Sequence, residues 1–136
     1  ALENGYTAAS IINDAPIVYR DANVEDAWRP QNDTRRFYGP TRLRVGLTKS
    51  RNLVSIRLLQ ALGIGKAIKV IERFGFERRN LPRTLSLALG TANASPLDIA
   101  TGYAVFANGG YRVKPHIIQK VTDSQNTVVF EASPVS

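Results

Sequence analysis

The sequence predicts an α+β fold that is mainly helical, ends in a β-hairpin and is incomplete as a domain. Three observations predict it. Apolar residues recur at helical spacing through the middle of the chain, from Leu43 to Leu47, Leu53 to Leu62 and Ile64 to Ile71. Near the end, the β-branched runs His116–Thr122 and Thr127–Glu131 flank the polar stretch Asp123-Ser-Gln-Asn126, a hairpin pattern. The 136 residues begin at Ala1 and contain no methionine, so the chain reads as an internal piece of a longer protein.

Taken in order, residues 1–14 suit the tail of a helix closed by a turn at Asn13-Asp14. Segment 15–39 offers one short apolar run, Ile17–Tyr19, inside polar text, and is expected to be a long ordered loop. Trp28 should anchor it, because an indole is costly to leave exposed. Residues 40–76 read as a helical cluster. Pro40 suits the first position of a helix that carries Leu43 and Leu47 on one face and stops near Lys49. Leu53–Leu62 is apolar around most of its circumference and is stopped by Gly63. Ile64, Ile68 and Ile71 then mark a third helix that ends at Gly75.

Leu85-Ser-Leu-Ala-Leu89 is open between a short strand and a buried turn. Ser95-Pro-Leu-Asp98 is a helix start, with Ser95 as cap, proline first and an acid third, where its charge meets the positive end of the helix dipole. That helix covers 95–107 and ends at Asn108-Gly-Gly110; the hairpin covers 116–131. In an incomplete domain the apolar faces of Leu53, Ile56 and Leu59 are expected to be bare, so the chain should fold poorly alone.

With no cysteine, disulfides, a thiol nucleophile and Cys-ligated zinc are excluded. No apolar run is long enough to span a bilayer. The net charge of +7 is concentrated in 42–83, which holds eleven basic and two acidic residues. One reading is a small basic binding module for nucleic acid or an acidic partner. The other is solvated helix faces, because Arg57, Lys66, Lys69 and Arg73 alternate with apolar residues. No motif of the common nucleic-acid folds is present, so nucleic acid is not expected as a partner. His116, the one histidine, has no second ligand nearby in sequence, and neither metal nor cofactor is expected.

The candidate site residues are Ser50 and Asn52, in Ser50-Arg51-Asn52 between two helices. The S-x-N spacing is weak by itself: Ser124-Gln125-Asn126 repeats it at a hairpin turn. Either side chain of the first triplet also suits a cap for the helix that starts at Leu53. Context separates the two triplets. Trp28-Arg-Pro-Gln-Asn32, Phe37-Tyr-Gly-Pro40, Leu43-Arg44, Leu47, Ser50-Arg-Asn52 and Val54-Ser-Ile-Arg57 follow one another, and then come Phe74-Gly-Phe76, Leu85 to Gly90-Thr91, Ser95-Pro-Leu-Asp98 and Tyr103 to Gly110. This ordered series, covering essentially the whole chain, resembles the transpeptidase domain of class A penicillin-binding proteins, the bifunctional cell-wall synthases.

That resemblance implies a site built from three motifs: S-x-x-K with the nucleophilic serine, S-x-N, and K-T-G. Only the second is here. No serine is followed three residues later by lysine, and neither Leu89-Gly90-Thr91 nor Ala100-Thr101-Gly102 replaces K-T-G. The resemblance places S-x-x-K upstream of Ala1, with 1–14 as the end of the nucleophile helix, and K-T-G downstream of Ser136, so the segment alone is expected to be inactive. It implies catalytic roles for Ser50, as proton relay in serine acyl transfer, and for Asn52, whose amide would hold the motif lysine and the substrate amide together. Arg51 is expected to be structural. The implied partners are peptidoglycan stem peptides, the lipid-linked precursor, β-lactam antibiotics and the remaining segments of the same domain. The implied location is the periplasmic side of a bacterial inner membrane, with a glycosyltransferase elsewhere in the protein.

Overall fold

A middle segment apolar on most helix faces has to find partners for those faces, and here it finds them inside its own chain. The computed structural model describes residues 1–19 and 27–133, which fall into two compact units. The first comprises residues 1–68 and 81–92; the second comprises residues 69–80 and those from 93 onward.

In the first unit, strand β1 (Ile11–Asp14) pairs antiparallel with β2 (Gly39–Arg42), Ile12 opposite Thr41 and Asp14 opposite Gly39. Helix α1 (Leu43–Thr48) grows directly out of β2. Its first amides lack intrahelical partners, and the segment just before β1 supplies them: Leu43 donates to the Ser10 carbonyl at 2.8 Å and Arg44 to that of Ala8 at 3.0 Å. Helix α2 (Asn52–Leu62) buries Leu53, Val54, Ile56 and Leu59. It packs on β1, on α1 and on the 3-10 helix Leu85–Leu89, which contributes Leu85 and Leu87 to the core. Full burial of such side chains stabilises by roughly 1.5–3 kcal/mol each. Gly63, at φ +86°, ends α2, and α3 (Ile64–Arg73) begins at the next residue and adds Ile68 to the core.

Several expectations are corrected here. Residues 1–14 hold no helix tail: Leu2–Asn4 is a single 3-10 turn and Ile11–Asp14 is a strand. The β-branched pair Ile11-Ile12 pairs with β2, and cross-strand pairing overrides a local helical reading. Pro40 lies in β2 rather than opening α1, which a proline tolerates in a strand at a sheet edge. Leu47 is 83% exposed, so α1 turns Gly46 rather than the leucine inward. Leu53, Ile56 and Leu59 are covered, because β1, α1 and the 3-10 helix Leu85–Leu89 pack on α2. The loop expected over 15–39 falls in part on residues 20–26, outside the described residues. On either side of them Tyr19 and Trp28 exchange two backbone hydrogen bonds, 2.9 and 3.0 Å.

In the second unit, helix α4 (Pro96–Ala107) starts with a capping box. The Ser95 hydroxyl accepts from the Asp98 amide at 3.1 Å, while the Asp98 carboxylate accepts from the Ser95 amide at 2.9 Å. Gly102 sits against Phe76, and Phe74 packs on Phe106 with ring centroids 5.4 Å apart. Strands β3 (Lys120–Thr122) and β4 (Val128–Glu131) form a hairpin shorter than the sequence suggested, with an irregular register at Val121/Thr122 and no strand over 116–119. Both strands are exposed on both faces, as are Tyr103, Phe106 and Ile117.

Two outcomes follow. A Cβ on Gly46 would lie 2.6 Å from Val54 Cγ1, inside contact distance, so Gly46→Ala should force α1 from α2 and destabilise by roughly 1–3 kcal/mol. An unchanged Tm for that variant would show the helices are not in contact there. The Ser95 amide, then the Ser95 hydroxyl, hold the Asp98 carboxyl below its ordinary value of 3.8. A carboxyl depressed on folding contributes stability above its unfolded pKa and loses it as pH falls through the folded one. The α4 cap should therefore weaken below pH 3.8, and an NMR titration of Ser95→Ala should find the Asp98 pKa raised back toward that value.

Candidate functional site

The junction between α1 and α2 has to stop one helix and start another within three residues, Lys49 to Arg51. It stops α1 with paired backbone bonds: the Arg51 amide donates to the Gly46 carbonyl at 2.8 Å and the Ser50 amide to that of Leu47 at 3.1 Å. This is a Schellman closure, whose left-handed position usually belongs to glycine. Ser50 occupies it, at φ +49°. A residue with a Cβ pays about 1 kcal/mol or more for that backbone. The Ser50 hydroxyl is exposed and has no hydrogen-bond partner among the described residues.

Asn52 is the first residue of α2 and half-buried. Its Nδ2 donates to the Gln31 carbonyl at 2.9 Å, and its Oδ1 has no partner among the described residues. Neither Ser50 nor Asn52 caps α2. The N-terminal position of that helix is Arg51, with no side-chain cap, and the Leu53 amide instead donates to Asn32 Oδ1 at 3.3 Å. The capping role open in the sequence thus belongs to a residue some twenty positions earlier, and the two S-x-N side chains are left for other work. Arg51 is engaged elsewhere, its guanidinium carbon 3.3 Å from the Tyr38 ring centroid. The hydrogen bond with Thr34 first, and then Arg51, lower the Tyr38 phenol below its ordinary value.

The second S-x-N triplet behaves differently. At Ser124-Gln125-Asn126 it is the asparagine that takes the left-handed backbone, and Asp123 Oδ1 closes the turn by accepting from the amides of Gln125 and Thr127. The basic residues of 42–83 also divide. Lys66, Lys69 and Arg73 are exposed, whereas Arg57 is half-buried and its Nη2 donates to the carbonyls of Pro16 at 2.9 Å and Ala15 at 3.3 Å. His116 is exposed and hydrogen-bonded to Gln119 at 2.6 Å. A cavity of about 730 Å³ lies in the second unit, lined by residues that include Thr101, Arg112 and Lys114, and neither Ser50 nor Asn52 borders it.

Sequence reasoning missed Asp14 and Asn32. Asp14 is fully buried, and Asn32 Nδ2 donates to both of its carboxylate oxygens, at 2.7 and 2.9 Å. Asp14 looked like a turn residue and Asn32 like part of a long loop, and no local signal distinguishes a buried asparagine from a solvated one.

Comparison with known proteins covers the whole chain. Residues 1–136 match the penicillin binding protein transpeptidase domain. The chain is 54% identical to penicillin-binding protein 1A of Pseudomonas aeruginosa and 45% identical to that of Escherichia coli, each over 134 residues. Those alignments take in 98% of this chain and 16% of each relative, so the chain spans about a sixth of their length. A crystal structure of penicillin-binding protein 1A from Haemophilus influenzae superposes with a TM-score of 0.92 at 41% identity, over 98% of this chain and 20% of that one. A penicillin-binding protein of Mycobacterium tuberculosis shares the fold at TM-score 0.82 and 22% identity, over 97% of this chain and 37% of that one.

If the left-handed backbone at Ser50 is strained, relieving it should show. Ser50→Gly should raise the denaturation midpoint by the equivalent of up to about 1 kcal/mol, and Ser50→Val should lower it. A glycine variant less stable than the serine protein would mean that the hydroxyl carries a structural bond.

Proposed function

Because the chain belongs to the penicillin-binding protein transpeptidase family, we propose that it is the S-x-N wall of a peptidoglycan D,D-transpeptidase site. The observation that carries this reading is Ser50: a serine in a backbone conformation glycine would hold at lower cost, with a hydroxyl that has no hydrogen-bond partner among the described residues.

In the reaction, a serine outside this chain attacks the D-alanyl-D-alanine carbonyl and must lose its proton. The departing D-alanine amine must gain one. The Ser50 hydroxyl, a donor and acceptor on a fixed turn, passes that proton between them. The resulting acyl-enzyme is then taken by the amine of a second stem peptide, with the relay run in reverse. Asn52 spends one hydrogen on Gln31, which fixes its plane and leaves Oδ1 and the second hydrogen for the substrate amide and the motif lysine. A β-lactam acylates the same serine through the same groups. The chain itself holds no S-x-x-K and no K-T-G, so the segment alone is inactive and works with the remaining segments of its domain. The identity to class A proteins favours a parent that also carries a glycosyltransferase, uses lipid-linked precursor and is held at the periplasmic face of the inner membrane. None of the helices among the described residues is long and apolar enough to cross a membrane.

The test compares acylation by a fluorescent penicillin. The isolated segment should not be labelled, and the full-length protein should be. Ser50→Ala and Ser50→Gly in the full-length protein should both slow acylation roughly 100- to 10,000-fold, although the glycine is expected to stabilise the fold. Labelling of the isolated segment, or wild-type rates in both variants, would defeat the reading.

A further inference from the structure

We propose that Asn32 is a positioning residue for the transfer site, holding Ser50 and Asn52 in place through the start of α2. This rests on the site reading above. A neutral amide offers two N–H groups and one carbonyl, and Asn32 commits all of them while only 3% exposed. Nδ2 donates to the buried Asp14 carboxylate on β1 and to the Arg36 carbonyl at 2.9 Å, while Oδ1 accepts from the Leu53 amide. One side chain thereby joins a strand, the 31–36 turn and the first turn of α2.

The geometry directs that anchor at the site. Leu53 is the residue after Asn52, and Gln31, the residue before Asn32, accepts the Asn52 side chain through its carbonyl. Residues 31 and 32 thus hold this end of the S-x-N segment twice, once by the Asn52 side chain and once by the main chain of the next residue, Leu53. On the other side, the Schellman bonds of α1 fix Ser50. Residues 50–52 lie between these two clamps. Removing the Asn32 amide would free the α2 clamp and leave Asp14 and the Leu53 amide buried without it. Among the described residues, the charged side chains bonded to the anchor or beside it include Asp14 itself and Arg57, which reaches the carbonyls of Ala15 and Pro16 next to Asp14. Arg36 touches it through its main chain.

The experiment measures, in the full-length protein, the fluorescent-penicillin acylation rate constant per titratable site together with Tm. Four variants are compared: Asn32→Ala, Asn32→Asp, Ile68→Ala as a core change away from the junction, and Ser50→Ala. Rates are read where each variant is folded. Asn32→Ala should slow acylation roughly 10- to 100-fold, the cost of a small displacement of positioned groups. Ile68→Ala, equally or more destabilised, should acylate at about the wild-type rate. Asn32→Asp sets two carboxylates face to face, and a proton shared between them restores one hydrogen bond. Its rate relative to wild type should therefore rise as pH is lowered, which a loss of stability alone would not produce.

Equal rate constants for Asn32→Ala and Ile68→Ala overturn the proposal. If Asn32→Ala does not fold, the Asn32→Asp profile decides, and a pH-independent ratio to wild type overturns it. Slow acylation by Ser50→Ala with a normal rate in Asn32→Ala rejects this inference alone. A normal rate in Ser50→Ala rejects the site reading and this inference with it.

Discussion

A carboxylate that folding removes from water must be given hydrogen-bond donors, and in this chain Asp14 receives them from Asn32. Much of the first unit is arranged around that requirement. Asp14 ends β1, Gly39 stands opposite it in β2, and Asn32 reaches in from the turn between the strands. Because the same amide also accepts from Leu53, the buried pair fixes where α2 begins. The apolar face of α2 is thereby aimed at Leu85, Leu87 and β1. A polar bond thus sets the register in which hydrophobic burial proceeds.

The α1–α2 junction shows local preference giving way. Gly46 is in a helix interior, where glycine weakens a helix by roughly 0.5–1 kcal/mol relative to alanine. Two residues past the end of the same helix, Ser50 adopts a backbone glycine would favour. Exchanging the two residue types would suit the local rules better. It would also drive a side chain into Val54 and remove the only hydroxyl of the S-x-N triplet. Close helix contact explains the first departure, and the second is the kind of strain that collects at functional positions.

The second unit carries its own logic. Its capping box and the Phe74–Phe106 contact define α4 and its surroundings, while Tyr103, Ile117, Val129 and both faces of the hairpin remain exposed. The sequence marked Leu53–Leu62 as a helix to be largely buried, and expected Leu53, Ile56 and Leu59 to be bare only because the domain is incomplete. Amphipathic pattern identifies which residues need cover, but which of them obtain it depends on segments distant in sequence, and Leu85 and Leu87 are such segments.

By itself the sequence determined what is written in local spacing and local stereochemistry. Helices α2, α3 and α4 follow from apolar period, from Gly63 as a stop and from the Ser95-Pro-Leu-Asp98 start, and the hairpin follows from two β-branched runs about a turn. Ordered blocks of residue types identified the family. Tertiary structure decided the rest, because those features depend on partners the local chain does not contain. Ile11–Asp14 became a strand when Gly39–Arg42 arrived to pair with it, and Pro40 became part of that strand. The neighbouring blocks had already set Ser50-Arg51-Asn52 apart from Ser124-Gln125-Asn126, but only the fold shows that Asn32, distant in sequence, caps α2 in place of Ser50 or Asn52.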